Sequence, residues 1–289
     1  MGKSLEVRAL GPFTFASFLA SGLASVLALG LASGCSGGSP GPHTGIINLA
    51  VSSATLGSTS LKSTSVTASF FDGPGRSDCT TSQLGACTTS VCPSGVSTGG
   101  GAGGMPQPDA GSISVAGGSR AVSLSPKADG TYAQTDSTYA LWNGGETLTV
   151  SGAGGLVPMF SATVTAPALN AQLTAPTAPT PGAALNIARG TDLTLRWTGA
   201  GNTTLDLTLG NNPGAGSYSS VTCSFPASAG SATVPAAALA TVPAGPGLFV
   251  LFITNTTPFA AGGYDIKLKA SASPLGSSGL PASYQATFQ

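Results

Sequence analysis

Short runs in which apolar and polar residues alternate recur along the chain from residue 45 onwards. A period of two buries one side of a strand and leaves the other in water, which is typical of antiparallel sheets. Turns rich in Gly, Ser, Thr and Pro separate the runs. The pattern therefore predicts an all-β fold of sandwich or barrel type. The apolar positions in the first half are Ile47, Leu49 and Val51; Val66, Ala68 and Phe70; Ile113 and Val115; Val122 and Leu124; Leu148 and Val150; and Phe160, Ala162 and Val164.

The second half of the chain repeats this pattern. A continuous apolar run at 248–253 predicts a central strand buried on both faces, and one helical turn is expected at 234–239, where alanines follow a proline. About eight strands match the size of an immunoglobulin-like sandwich, and Trp197 resembles the core tryptophan of such domains. The disulfide of antibody domains cannot form, because this half contains only Cys223. The alternating positions are Leu185 and Ile187; Leu193, Leu195 and Trp197; Leu205, Leu207 and Leu209; Val221, Cys223 and Phe225; Tyr264, Ile266 and Leu268; and Tyr284, Ala286 and Phe288.

Changes in composition divide the chain into four predicted parts. Residues 1–34 form a signal peptide and residues 35–44 a flexible tether. Residues 45–167 form a first antiparallel β-sandwich domain, with a Gly-rich loop at about 92–111. Residues 168–289 form a second antiparallel β-sandwich domain of the immunoglobulin-like kind.

The leader has the features of an export signal. Lys3 and Arg8 precede a charge-free stretch from Ala9 to Gly34, and a basic segment followed by an apolar one is typical of secretory signal peptides. The apolar stretch is also long enough for an uncleaved membrane anchor. As a further alternative, the small residues before Cys35 would suit an ordinary signal peptidase, which would leave Cys35 as a free thiol.

The sequence LASGC at 31–35 resembles the lipobox of bacterial lipoproteins from the Gram-negative envelope. It departs from that pattern at Ala32, where Leu is usual, with Leu31 one place early. The resemblance implies cleavage before Cys35 and acylation of this cysteine, and Ser36 at the next position implies the outer membrane. Acyl chains contribute about 0.8 kcal/mol per buried methylene, so a multiply acylated Cys35 would be a stable anchor.

Four further cysteines are consistent with an oxidising compartment. These are Cys79, Cys87, Cys92 and Cys223, and an even number in an exported chain predicts disulfides with three possible pairings. Zinc is an alternative for the first three, but their spacing does not match paired zinc knuckles. A buried free thiol is the alternative for Cys223.

Few residues offer other chemistry. Charged residues make up 7% of the chain, against roughly 25% in a typical soluble domain, and the 10 basic and 10 acidic side chains cancel. Nucleic-acid binding, which needs clustered Lys and Arg, is therefore excluded. The single histidine, His43, falls in the tether and is a poor candidate for catalysis. Asp72, Asp78 and Asp109 could form a calcium site, or they could be isolated turn aspartates. We predict no catalytic, cofactor-binding or metal-binding residues.

Three aromatic residues are the candidates for ligand binding. Tyr132, Tyr139 and Trp142 gather near a predicted Asp-Gly turn, where exposed rings could stack on sugars and buried rings would fill the core. The sequons that begin at Asn202 and Asn255 are expected to be turns.

Together these features predict a lipid-anchored envelope protein that acts as a structural or binding module and not as an enzyme. Its predicted partners are the membrane, through acylated Cys35, and an unidentified protein or glycan, without a cofactor. A carbohydrate-binding module is the first alternative and requires exposed, coplanar rings at Tyr132, Tyr139 and Trp142. A secreted hydrolase is the second and requires two acidic groups in one cleft.

Overall fold

The structure is a computed structural model that describes residues 43–56, 59–72, 79–93, 107–180, 183–211 and 218–289. The predictions for the leader, for Cys35, for most of the tether and for most of the Gly-rich loop lie outside these residues. The regular structure of the described residues is nearly all β-strand, as predicted, and the one predicted helical turn is confirmed.

The strands in the first half are β1 (His43–Leu56), β2 (Thr59–Phe71), β3 (Thr80–Leu84), β4 (Cys87–Cys92), β5 (Ile113–Ala116), β6 (Val122–Leu124), β7 (Tyr132–Asp136), β8 (Thr147–Gly152) and β9 (Phe160–Thr165). Those in the second half are β10 (Gln172–Ala175), β11 (Leu185–Ile187), β12 (Leu193–Thr198), β13 (Thr204–Asn211), β14 (Tyr218–Pro226), β15 (Ser231–Val234), β16 (Gly245–Ala261), β17 (Tyr264–Ala272) and β18 (Ser283–Phe288). A 3-10 turn covers Ala227–Ala229, and the helix α1 covers Ala236–Leu239.

One large sheet runs through the molecule. Among the described residues it contains eleven strands in the order β3-β4-β14-β13-β16-β17-β1-β2-β7, with β18 beside β16 and β11 beside β18. Most neighbours are antiparallel, as the period of two predicts, but β1 with β17 and β11 with β18 are parallel. Parallel neighbours cannot be joined by a tight hairpin, and these partners are accordingly far apart in the chain.

Two smaller sheets pack on the large one and create two β-sandwiches. The sheet β6-β5-β8-β9 closes a first core that contains Phe70 and Trp142, and the sheet β10-β12-β15 closes a second core around Trp197. The long strand β16 contributes to both, because Leu251 lies in the second core and Ala261 in the first. The two sandwiches therefore share one sheet.

Each sandwich also uses strand residues from the other half of the chain. Strand β17 pairs with β1 from His43 to Val51, and its Leu268 lies fully buried in the first core. Conversely, β4 pairs with β14, and Cys87 lies in the second core. Hydrogen bonding in the large sheet thus crosses residue 167, where the sequence predicts a boundary.

Two local predictions differ from the structure. Strand β1 begins at His43, so the last two residues of the predicted tether belong to the fold. The prediction of a turn at Asn255 is wrong, because this residue lies inside β16 and pairs with Ala270 of β17. A neighbouring strand supplies the ladder partners that the local sequence does not reveal.

Candidate functional site

Two of the three aromatic residues predicted to bind a ligand lie in the first core. Trp142 is 0% exposed, and its indole N–H donates to the carbonyl of Pro167 at 3.0 Å. Tyr132 is 1% exposed; its hydroxyl donates to the carbonyl of Gly111 and accepts from the N–H of Ala110, each at 2.8 Å. Burial raises the pKa of Tyr132. The stacking prediction is wrong for these rings, because their area is buried and backbone groups bind their polar atoms.

The third ring, Tyr139, is partly buried against the same core. The guanidinium carbon of Arg120 lies 4.9 Å from its ring centroid, which is within the range of a cation–π interaction. The backbone carbonyl of Tyr139 accepts a hydrogen bond from the Thr64 hydroxyl at 2.9 Å. Because its two predicted partners are buried, Tyr139 does not form a coplanar aromatic platform with them.

The four candidate cysteines form two disulfides, Cys79–Cys92 and Cys87–Cys223. Cys87 and Cys223 face each other in the register of β4 and β14, and both are fully buried. The zinc and free-thiol alternatives are therefore wrong. The second disulfide covalently links the β3–β4 hairpin of the first half to the second sandwich.

The acidic residues considered for calcium bind protein groups instead. Asp72 bonds to His43 and Tyr264, and the carboxylate of Asp109 accepts the N–H of Gly111 at 2.9 Å. Asp78 lies outside the described residues. Over the described ranges, no group of three or more His, Cys, Asp or Glu side chains is placed to hold a metal ion.

Other carboxylates of the first sandwich bind within their own turns. Asp129 accepts hydrogen bonds from the hydroxyl and N–H of Thr131, and these bonds lower the pKa of Asp129. Asp136 accepts the same two bonds from Thr138, and they lower the pKa of Asp136. Burial raises the pKa of Glu146, but hydrogen bonds, chiefly from nearby backbone N–H groups, outweigh it and lower the pKa overall. Each of these carboxylates therefore stabilises a turn.

A three-residue cluster lies where the chain enters the large sheet. His43 Nδ1 is 2.8 Å from Asp72 Oδ1, and the Tyr264 hydroxyl donates to the same oxygen at 2.5 Å. The His43 and Tyr264 rings have centroids 4.9 Å apart, because the two residues are register partners in β1 and β17. Burial, and then the bond to Asp72 and its charge, raise the pKa of Tyr264. The expectation that His43 lies on a flexible arm is wrong, since the cluster fixes it to Tyr264 of β17 and to Asp72, which directly follows β2.

The loop between β8 and β9 carries an exposed apolar pair. Leu156 is 71% and Met159 is 76% exposed, and we call these two side chains the apolar tip. Val157, which lies between them, is fully buried, and its N–H donates to the carbonyl of Asp109 at 2.9 Å. The N–H of Gly155 donates to the carbonyl of Val157 at 3.0 Å. The loop backbone is therefore held in place while the tip stays in solvent.

A shallow cleft of about 330 Å³ brings the two sequon asparagines together. Asn202 lies just before β13, where the expected turn is confirmed, and Asn255 donates through Nδ2 to the carbonyl of Thr165 at 2.9 Å. Val164, Thr256 and Thr257 complete the lining. The cleft offers neutral amide and hydroxyl groups, and the sequence gives no signal that these segments meet.

No family of known proteins matches this chain, and no curated protein is significantly similar to it in sequence. Within the residues that the structure describes, no helix has the length and apolar character needed to cross a membrane.

Proposed function

We propose that this protein is a lipid-anchored, non-catalytic component of the bacterial cell envelope, and that its β-sandwiches form a structural or partner-binding module. The observation that carries the proposal is the basic segment followed by a charge-free stretch that ends just before Cys35, eight positions before the first described strand begins at His43. Cys35 is the acylated residue, with palmitate among its acyl chains. Because Ser36 follows it, the outer membrane is the proposed location.

The start of the fold supports this arrangement. Eight residues span at most about 28 Å when fully extended, so an acylated Cys35 would keep the sandwiches near the membrane surface. The two disulfides also agree with export, because such bonds persist in oxidising compartments such as the bacterial periplasm and the cell surface.

A binding or structural role is favoured over the two alternatives. A carbohydrate-binding module would lack its predicted platform, since Tyr132 and Trp142 are in the core. The hydrolase requires two acidic groups in one cleft, whereas Asp129, Asp136 and Glu146 each accept hydrogen bonds within their own turns. The partner remains a protein or a glycan of the envelope.

We further propose that the second sandwich is immunoglobulin-like. Its support is Trp197 on β12, which is buried in the second core and donates its indole N–H to the carbonyl of Ala227 at 2.6 Å. A core tryptophan on an early strand is a feature of that architecture.

Intact-mass spectrometry of the membrane-fraction protein tests the anchor. We expect a chain that begins at Cys35 and carries the mass of acyl groups, and reduction should add two hydrogen atoms for each disulfide. The Cys35→Ser variant should lose the acyl mass and palmitate labelling, whereas Ser39→Ala, in the same segment, should retain both. Recovery of the wild-type protein without detergent and with an unmodified thiol at Cys35 would contradict the proposal.

The membrane of residence is tested at the next position. The lipoprotein resemblance implies that Ser36→Asp moves the protein from the outer to the inner membrane fraction of a density gradient. Ser36→Thr, which adds no charge, should leave the distribution unchanged. An unchanged distribution for Ser36→Asp would remove the argument for the outer membrane.

A further inference from the structure

The apolar tip lies at the end of the molecule where the N-terminal segment enters the fold. Pro158, between Leu156 and Met159, packs so closely on the β16–β17 turn that a Cβ atom on Gly262 would lie 2.2 Å from it. That turn leads directly into Tyr264, the register partner of His43. The loop that carries the tip therefore packs on the turn that leads to the register partner of His43, the residue eight positions after Cys35.

We propose that the apolar tip inserts into the membrane leaflet that holds the acyl chains of Cys35. This inference rests on the proposed function, since the lipid anchor is what brings the leaflet within reach. The extended length of eight residues, about 28 Å, limits how far His43 can be from the membrane surface. The tip and the anchor would then contact the same leaflet and fix the orientation of the large sheet relative to it.

The chemistry of this end favours lipid as the occupant. Transfer of leucine and methionine side chains from water to an acyl environment lowers the free energy. Binding to the membrane interface therefore becomes stronger as the buried apolar area increases. The held backbone of the loop reduces the entropy lost on insertion. The imidazole of His43 and the carboxylate of Asp72 are already hydrogen-bonded to each other at this end of the molecule. From Cys35 onwards the chain has 8 basic and 9 acidic residues, a net charge of −1, so electrostatic attraction to anionic lipid does not drive binding and a zwitterionic lipid surface is sufficient.

The test uses the full acylated protein in vesicles of phosphatidylcholine and phosphatidylethanolamine, with tryptophan introduced as a reporter. Leu156→Trp and Met159→Trp place the reporter in the tip. Leu61→Trp is the matched control, because Leu61 is 38% exposed and lies at the opposite end of β2. Leu61 and Phe71, at the tip end, are ten positions apart along β2, a distance of about 33 Å. The buried Trp142 and Trp197 give the same background in every variant.

Brominated acyl chains quench tryptophan that lies in the interface. We expect about a twofold loss of the added fluorescence for both tip variants, because an interfacial side chain sits roughly 5–10 Å into the headgroup and acyl boundary. Leu61→Trp should be unaffected. Equal quenching at both ends would overturn the proposal. So would a blue-shifted tip emission that bromination does not change, since a protein surface would then cover the tip.

The mass of the same sample separates this inference from the proposed function. If Cys35 is acylated and the protein is vesicle-bound but both tip variants escape quenching, membrane insertion of the tip is wrong and the anchor stands. If Cys35 carries no acyl group and the protein stays in solution, the proposed function fails and the tip proposal fails with it.

Discussion

The two sandwiches are built on the same sheet but are completed in different ways. In each, a tryptophan donates its indole N–H to a backbone carbonyl, Trp142 to Pro167 in the first and Trp197 to Ala227 in the second. The first is completed by β17 from the end of the chain, through backbone pairing and packing. The second receives the β3–β4 hairpin from the beginning of the chain and holds it with the Cys87–Cys223 disulfide.

This difference shows how the halves of the chain depend on each other. Strand β17 supplies Ile266 and Leu268 to the first core, so that sandwich needs apolar area from the second half. The β3–β4 hairpin is mostly exposed, with Thr80–Gln83 in solvent, and therefore needs a covalent link. Packing is sufficient where a strand brings large apolar side chains, and a disulfide is used where it does not.

The largest effect should come from separating the halves. A fragment of residues 43–167 loses β17, so β1 becomes an unpaired edge and the first core loses Tyr264, Ile266 and Leu268. We expect the fragment to aggregate or to lack a cooperative thermal transition by circular dichroism. Mixing with residues 168–289 should restore the transition in part. A fragment that melts cooperatively on its own would show that the first sandwich is independent.

The next largest effect is expected from the two disulfides, which serve as controls for each other. The Cys87–Cys223 bond closes a sequence separation of 136 residues and the Cys79–Cys92 bond one of 13. In the chain-entropy treatment, removal of the long-range bond as a double Ser variant costs about 5 kcal/mol, and removal of the short-range bond about 3 kcal/mol. Urea unfolding of both variants measures the difference. A larger loss for the short-range bond would contradict the role given to Cys87–Cys223.

Replacement of either core tryptophan by phenylalanine, which keeps an aromatic ring, should lower the free energy of unfolding. Trp142→Phe and Trp197→Phe each remove an indole N–H that donates to a backbone carbonyl, and the loss of such a bond costs about 1–3 kcal/mol. The carbonyl of Ala227 keeps a longer bond from the N–H of Gly230 at 3.4 Å, so the cost at Trp197 should lie at the lower end of this range. Because the sandwiches share a sheet, both variants should lower the midpoint of one common transition. Two separate transitions, each affected by one variant, would instead indicate sandwiches that unfold independently.

A smaller difference in stability is expected between the Tyr→Phe variants of two buried tyrosines, one in each core. Tyr264→Phe removes a hydrogen bond to Asp72 and should cost about 1 kcal/mol at pH 7. The Tyr284 hydroxyl is buried and has no hydrogen-bond partner within the described part of the chain. Tyr284→Phe should therefore be neutral or slightly stabilising by urea unfolding. Equal losses in both variants would indicate an unrecognised partner for Tyr284.

The same two tyrosines predict a loss of stability at alkaline pH. Burial raises the pKa of Tyr264 above the ordinary value of 10.0, with a further rise from Asp72, and burial raises the pKa of Tyr284 to about 12. The folded state holds these protons more tightly than the unfolded state, so stability is complete below about pH 10 and falls as pH rises towards the folded pKa values. Each Phe variant should show a shallower alkaline decline than wild type in unfolding experiments between pH 8 and 12. A decline as steep as that of wild type would argue against the raised pKa values.

The sequence predicted those features that local alternation determines. The buried positions of β5, β9 and β17 follow a period of two, because each of these strands has one face on a core, whereas β1 is buried on both faces from Leu49 to Ser52. The run that contains Ile47 also extends back through Gly45 to His43, a signal that could have placed His43 in the fold. The strands of the β3–β4 hairpin were missed, because their Ser and Thr residues do not alternate with large apolar ones.

Features that depend on distant pairing were beyond the sequence. Nothing local brings His43 to Tyr264 or Cys87 to Cys223, since each pair is set by sheet register between the two halves. The burial of Tyr132 and Trp142 has the same cause: a ring beside a turn faces solvent or core according to the sheet packed over it. For the same reason the sequence alone did not identify the apolar tip.

Mass spectrometry of linked peptides from the unreduced protein tests most directly whether the two halves form one interleaved structure. The structure predicts one linked pair that contains Cys87 and Cys223 and a second that contains Cys79 and Cys92. A disulfide confined to Cys79, Cys87 and Cys92, with Cys223 recovered as a free thiol, would contradict the account.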